Sequence, residues 1–456
     1  MTELNSMDIN ASIQLANRYY HEGKMHEASD LYVAILKRQP NNIDALMSLG
    51  GICYQLENYD LAMDLINKVI HLNPSHAKAY YLLGITLKEK GLLDEAMLCY
   101  QKALELDPHD AFSYSNMGNV FLEKCRVDDA LRCYEVALQL NPHDPHTHWH
   151  MAVSLLLSGD LVRGWEKYEW RFKAFPLRYL RRNSLKSQWD GTDISGQSIL
   201  LSTEQGFGDA LQFVRYAPMV AERGAKVILE CQQELVSLFK HVDGISDVMA
   251  YGAVSPDFDV YCPLLSLPFI LGTTLENIPA NIPYIRADLQ LVQEWKNKLQ
   301  SHHSRFKIGI VWSSRPGRLY EKKSIPLALY SSLTSIDGLA FFSLQKGEAA
   351  RQIEDNEGII KLIDYSEDMR DFSDTAAFIE NLDLVISVDT AVAHLAGALG
   401  KPVWLLLSFF PDWRWLLYRE DSPWYPTMRI FRQPSRGDWI SVIARIKDEL
   451  SKLVGH

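Results

Sequence analysis

Two short stretches of this 456-residue chain combine small residues with groups that can bind or move protons. In Glu204-Gln-Gly-Phe-Gly-Asp209, two glycines, Gly206 and Gly208, follow an apolar run and precede a helical pattern. They let the backbone bend tightly and aim one carboxylate, Asp209, into whatever space lies beyond. A carboxylate so placed suits a general base or a contact to an acceptor hydroxyl; the plainer alternative is an ordinary helix cap. The stretch fails as a dinucleotide fingerprint, because Leu211 occupies the third glycine position and an aspartate repels phosphate.

The second stretch, Val388-Asp-Thr-Ala-Val-Ala-His394, leaves an apolar run and opens a helix rich in small residues. Free N–H groups and the helix dipole make such a turn an anion site, with a nucleotide diphosphate as its natural occupant. Thr390 adds a hydroxyl, and Asp389 either caps the helix or accepts hydroxyls of a sugar. His394, one turn in, either reaches a phosphate oxygen or lies buried against the next strand. A departing diphosphate gains charge, and Lys323 and Lys346 are the candidate cations, with Lys322 as a substitute for the first. A preorganised donor of this kind is worth about 3 kcal/mol; the plain alternative for either lysine is a solvated surface residue.

Aromatic clusters at Trp413-Arg414-Trp415 and Trp424-Tyr425-Pro426 offer planes that stack on a base or sugar, or simply pack a late loop. Phe372 and Thr375, at the opening of another helix, are candidate nucleoside contacts. Asp257-Phe-Asp259 matches a metal-binding DxD triplet, but three residues are a weak match and the structural reading is preferred. His143, His146, His148 and His150 are likewise read as structural, and no metal site is expected.

These groups need strands and helices to hold them. Short β-branched runs at 198–202, 226–230, 307–312, 340–344, 359–362, 384–388 and 403–407 alternate with helical stretches, which predicts βαβ units and parallel sheets. The series breaks at 285–306, where a polar helix follows Asp288. Two α/β lobes, 179–290 and 291–456, with a cleft between them, are therefore expected, and ligands in such folds sit at the carboxyl ends of strands.

The first 178 residues obey a different rule. Pro40, Pro74, Pro108, Pro142 and Pro176 are 34 residues apart. The same ruler falls on Ala16, Gly50, Gly84, Gly118 and Ala152, on Ala28, Ala62, Ala96, Ala130 and Gly164, and on Tyr32, Ile66, Tyr100, Tyr134 and Tyr168. This pattern resembles the tetratricopeptide repeat: small residues let paired helices approach, and proline ends the second helix. Repeats are placed at 9–42, 43–76, 77–110, 111–144 and 145–178, the last atypical, its Trp165 and Trp170 predicted to dock the array onto the first α/β lobe. Stacked repeats build a concave surface for a protein partner and can also carry self-association.

A net charge of −11 and a pI near 5.7 argue against nucleic acid or an anionic membrane as the main partner. Met1 to Ser12 shows no secretory signal, and the most apolar run, Val403 to Phe410, is too short to span a bilayer. The six cysteines form no CxxC pair and read as buried thiols of a reducing compartment, so a cytoplasmic location is expected.

After the repeats, Glu204-Gln-Gly-Phe-Gly-Asp209, Pro263-Leu-Leu-Ser-Leu-Pro268, Ile310-Val-Trp312, Lys323-Ser-Ile-Pro-Leu327, Ser343-Leu-Gln-Lys-Gly347, Asp374-Thr-Ala-Ala377, Val388 to Gly397, Pro411-Asp-Trp-Arg-Trp415 and Ser422-Pro-Trp-Tyr-Pro426 together resemble the bacterial repeat-linked glycosyltransferases. These are related to the heptosyltransferases of glycosyltransferase family 9 and, more remotely, to the protein O-GlcNAc transferases, all of GT-B fold. The resemblance implies a cytosolic, metal-independent, inverting enzyme that needs no cofactor and moves a sugar from a nucleotide sugar to an acceptor. It implies Asp209 as catalytic base, with Lys323, Gln345, Lys346, Asp389, Thr390, Ala391 and His394 at the donor site. Gln205, Gly206, Gly208, Phe372, Thr375, Trp413 and Arg414 are its candidate nucleoside or acceptor contacts. Such relatives usually carry arginine where Lys323 stands, so the charge persists without a bidentate fork. Some modify flagellin, which implies a protein acceptor presented by the repeats. Two other readings stay open: a non-catalytic adaptor that retains nucleotide binding, and an enzyme acting on a glycan or lipid-linked acceptor.

Overall fold

The computed structural model describes residues 8–175, 186–254, 256–302, 305–314, 323–356 and 358–454; Pro176 and Lys322 lie outside them. The chain divides into two compact units, Met1–Ser154 and Leu155–His456.

The first unit is a stack of helix pairs: α1 (Ile9–His21) with α2 (Met25–Arg38), α3 (Ile43–Gln55) with α4 (Tyr59–Leu72), α5 (Ala77–Glu89) with α6 (Leu93–Leu106) and α7 (Ala111–Glu123) with α8 (Val127–Leu140), followed by α9 (Pro145–Ser158). Local chemistry starts several of them. Asn42 accepts from Ala45 N, Asn58 from Leu61 N and Asp110 from Phe112 N. The 34-residue columns are the packing points. Ala28, Ala62, Ala96 and Ala130 are fully buried. A Cβ on Gly84 would lie 2.6 Å from the Tyr100 ring, and one on Gly118 would lie 2.6 Å from Tyr134. Glycine is thus what lets each aromatic of the second helix lie flat on the first. Tyr134 also stacks on His150 of the next repeat, 6.2 Å between centroids. Ion pairs Lys90–Asp60 and Lys124–Asp94 link successive repeats at the surface, where each contributes about 0–1 kcal/mol.

The second unit takes up the chain at Leu155, within the last turn of α9, and continues through α10 (Leu161–Tyr168) and a single turn, Arg171–Ala174, before two parallel sheets. In the first, β1 (Ser198–Ser202), β2 (Lys226–Cys231), β3 (Ile245–Ala250) and β4 (Val260–Pro263) lie in the order β3-β2-β1-β4. In the second, β5 (Phe306–Val311), β6 (Leu339–Ser343), β7 (Leu362–Asp364), β8 (Leu384–Val388), β9 (Val403–Leu407) and β10 (Met428–Arg432) lie in the order β10-β9-β8-β5-β6-β7. The strand order reverses beside β1 in one sheet and between β5 and β8 in the other. Crevices for ligands open at such points. Five helices matter below: α11 (Phe207–Phe213) after β1, α12 (Leu289–Lys298), α13 (Phe372–Glu380), α14 (Ala391–Ala398) after β8, and α15 (Trp439–Val454). Asp288 caps α12 by accepting from Gln290 N and Leu291 N. The whole is a repeat solenoid followed by the two-lobed GT-B architecture.

Three strands were not expected from the sequence, and one is displaced. β3 is an edge strand whose exposed Ser246 and Asp247 break its apolar run, β4 ends at Pro263, and β10 carries Arg429 and Arg432. β7 begins at Leu362, where the expected run ends. Trp165 of α10 is buried in a ring cluster with Phe213 of the first lobe (6.0 Å) and with Trp413 (5.2 Å) and Trp424 (6.5 Å) of the second. The helix ending the repeat pattern is therefore a shared piece of both lobes' core.

Candidate functional site

The carboxyl ends of β1 and β8 each lead into a helix, and the two helices pack together at their first turns. The contact is close because Gly208 has no side chain: a Cβ there would lie 2.9 Å from His394 Cδ2 and 3.7 Å from Ala391 Cα. Two positive dipole ends thus stand side by side, which favours negative charge near them. At present carboxylates supply it.

Asp209 is in the first turn of α11, and one of its oxygens accepts from Gly206 N at 2.8 Å. Its other oxygen is paired with the Arg414 guanidinium across the lobes. Arg414, itself buried, also donates to Gln212 Oε1 at 2.6 Å and to Asp412 Oδ1 at 2.9 Å, and lies over the Trp413 ring. Burial outweighs the pull of Arg414 and lifts the Asp209 carboxyl above its ordinary value.

Asp389, between β8 and α14, accepts from Lys323 Nζ at 2.5 Å and from Trp415 Nε1 at 3.0 Å. Burial pushes against ionisation, but Lys323 holds this carboxyl below its usual range. His394 shares a 2.9 Å hydrogen bond between Nδ1 and the Tyr425 hydroxyl and stacks on Trp415 at 5.1 Å. Burial drives its pKa down to about 3, so the ring is neutral. Thr390 starts α14 in extended backbone without a side-chain cap bond, its hydroxyl 3.0 Å from that of Ser387.

Lys323, Asp389, Leu406, Leu407, Ser408, Pro411 and Asp412 line a narrow cleft. Both cations here are paired with carboxylates, Lys323 with Asp389 and Arg414 with Asp209 and Asp412.

The other candidates sit around this centre rather than in it. Gln345 Oε1 accepts from Ser313 N at 2.9 Å, bracing the end of β5, and Lys346 donates to the Met369 carbonyl. Thr375 donates to the carbonyl of Asp371, the residue that caps α13, at 3.0 Å. Phe372 meets Phe207 of the other lobe at 4.9 Å. Trp413 is core, and Arg414 is held by carboxylates rather than presented to a base. Asp259 accepts from Ser198 N at 2.7 Å, which puts the DxD triplet at the amino ends of the strands, away from the cleft. Among the described residues no group of three His, Cys, Asp or Glu could hold a metal ion.

Sequence reasoning overlooked Asp412, although it lies inside a motif named above, and Gln212; it offered Tyr425 as a stacking plane rather than as the hydrogen-bond partner of His394. It also overlooked Arg171, buried against Glu204 with Nη2 3.2 and 3.1 Å from the two carboxylate oxygens.

Known proteins resemble the chain in matching places. Residues 19–83, 77–110 and 111–144 match tetratricopeptide repeat models, and residues 370–408, which hold β8, α14 and β9, match glycosyltransferase family 9 (heptosyltransferase). The chain carries tetratricopeptide repeats and a glycosyltransferase-like α/β unit. It is 26% identical to Protein FlbA of Caulobacter vibrioides over 322 residues, covering 66% of this chain and 54% of that protein. The chain thus spans about half the length of the curated relative it matches. Among solved structures, MamA from Desulfovibrio magneticus RS-1 is 19% identical, covering 39% of this chain and 97% of that one, with a TM-score of 0.32. The Pseudomonas aeruginosa pilF protein is 23% identical, covering 36% and 75%, with a TM-score of 0.34. No helix among the described residues is long and apolar enough to cross a membrane.

Proposed function

We propose that the chain is a metal-independent, inverting glycosyltransferase that moves a sugar from a nucleotide sugar to a hydroxyl of a protein acceptor recruited by the repeats. The observation that carries this reading is the close packing of Gly208, the residue before Asp209, against the first turn of α14, with Asp209 itself held by Arg414 of the second lobe. The donor diphosphate would lie at Thr390 and Ala391, take Lys323 from Asp389, and offset the two facing dipole ends. Asp209 would leave Arg414, accept the acceptor's proton, and direct its oxygen at the anomeric carbon from the face opposite the diphosphate. A carboxyl lifted by burial is a stronger base than a solvated one. Closure of the lobes would exclude water, whose attack on the donor is the competing reaction. A protein such as flagellin fits a repeat-bound acceptor.

Incubation with a panel of nucleotide sugars, scoring nucleotide release, tests the activity. Asp209→Asn should keep nucleotide affinity and lower turnover by roughly 10²–10⁴; equal losses in both would refute its role as base. Removal of residues 1–144 should abolish transfer to protein while sparing slow donor hydrolysis, and a folded truncation working at full rate would refute recruitment by the repeats.

One observation favours a second reading, a scaffold without turnover: both cations of the cleft are already neutralised by carboxylates. Under that reading no donor in the panel releases its nucleotide.

A further inference from the structure

The turn that delivers Asp209 is not shaped by its own lobe alone. Gln205 has φ of +58°, the left-handed region that a residue with a side chain seldom occupies. Such a conformation persists where surroundings over-determine it. Here the constraints come from the last residue of α10 and the turn that follows it. Tyr168 Oη accepts from Gln205 Nε2 at 3.0 Å. Arg171 is fully buried and grips Glu204 with both carboxylate oxygens in reach, while also donating to Ser266 Oγ at 2.8 Å. Ser266 in turn donates to Glu169, at 2.9 Å from one oxygen. Arg171 lies 4.0 Å above the Phe172 ring, which fixes the plane of its guanidinium. Two consecutive residues, Glu204 and Gln205, are therefore clamped immediately before Gly206, whose N–H holds Asp209.

We propose that Arg171 and Tyr168 are positioning residues for Asp209, a role that rests on the glycosyltransferase reading above. They act through Glu204 and Gln205 and touch neither acceptor nor donor. The clamp fixes where α11 begins, and so where the Asp209 carboxylate stands relative to α14. The last turns of the repeat pattern are thereby part of the machinery of transfer rather than a spacer before it. A buried ion pair is poor evidence for stability in itself. Its placement on a strained turn one step from the proposed base is what assigns it this task.

The experiment uses the full chain and has two arms. Hydrogen exchange of peptides covering 199–213 is compared in wild type, Arg171→Met, Arg171→Lys and Tyr168→Phe. Steady-state nucleotide release is measured on the same proteins. Tyr168→Phe removes a single hydroxyl and serves if Arg171→Met fails to fold. Faster exchange confined to the turn is expected, with kcat lowered about 10²-fold in Arg171→Met, since a misplacement near 1 Å costs that much. Donor KM should change less than about threefold, and Arg171→Lys should recover part of kcat. Unchanged exchange in the turn would overturn the clamp. Faster exchange with unchanged kcat would overturn its role in transfer. If wild type itself releases no nucleotide, the glycosyltransferase reading falls, and with it the catalytic role, while the exchange arm still decides whether the clamp exists.

Discussion

Adding one methyl group at Gly208 tests the facing-helix site more directly than removing any charge. The new Cβ would sit 2.9 Å from His394 Cδ2, where something must move. His394 cannot swing aside: it is buried, bonded to Tyr425 and stacked on Trp415. Relief therefore comes from sliding α11 against α14 by about half an ångström, the distance needed to restore an ordinary carbon contact. Overpacking costs about 1–3 kcal/mol. Alanine in a helix returns up to about 1 kcal/mol relative to glycine. The net loss of stability is thus about 0–3 kcal/mol, below the roughly 5–15 kcal/mol of a typical domain, so the variant should stay folded. Activity should suffer more, because Asp209 is the next residue: if 1 Å costs about a hundredfold, half of that costs about tenfold. Nucleotide release by Gly208→Ala, with a urea titration on the same sample, checks both numbers. A variant that folds and turns over at the wild-type rate would refute the idea that the two first turns set the reacting geometry.

Two further outcomes are expected at the same centre. Lys323→Ala should weaken a nucleoside diphosphate about tenfold or more while barely affecting the nucleoside, as a charge-assisted bond to phosphate is worth about 1.5–3 kcal/mol; calorimetry showing equal changes for both would place the phosphates elsewhere. His394, neutral when folded with a pKa near 3, takes a proton on unfolding once the pH falls below its ordinary 6.5. Acid therefore favours the unfolded chain, and the part of the stability that depends on His394 should fall by about 1.4 kcal/mol per pH unit from 6.5 towards 3. Urea midpoints between pH 7 and 5 should show a shallower slope in His394→Gln, and identical slopes would refute the assignment.

Much of this architecture is legible in the sequence where burial leaves a simple record. β1, β8 and β9 lie inside their lobes, and their runs of apolar residues, interrupted or bounded by nothing larger than serine, mark their ends to the residue. β3 and β10 carry exposed or charged side chains and leave no such run. The repeats are legible because each helix pair meets the same steric demand every 34 residues. In the candidate site, Asp209, Asp389, Thr390 and His394 could be listed together because strand-to-helix turns advertise themselves locally. Their partners could not. Arg414 reaches Asp209 across 205 residues, and the pattern around Trp413 reads equally well as a stacking surface. Arg171 looks like the frayed end of a degraded repeat, and only the fold sets it against Glu204.

The lock between glycine and aromatic ring in the solenoid is internal to the third and the fourth repeat. Gly84 meets Tyr100 and Gly118 meets Tyr134. The surface pairs Lys90–Asp60 and Lys124–Asp94 then join one repeat to its neighbour by the same step. The third and fourth repeats thus carry their own fastening and share one connector. A copy of the third repeat inserted between them would meet that same ion pair on both sides. The array can gain reach at that seam in evolution, or by recombination at the bench, whereas the helix around Trp165 and the turn at Arg171 are fitted to one place and cannot be copied.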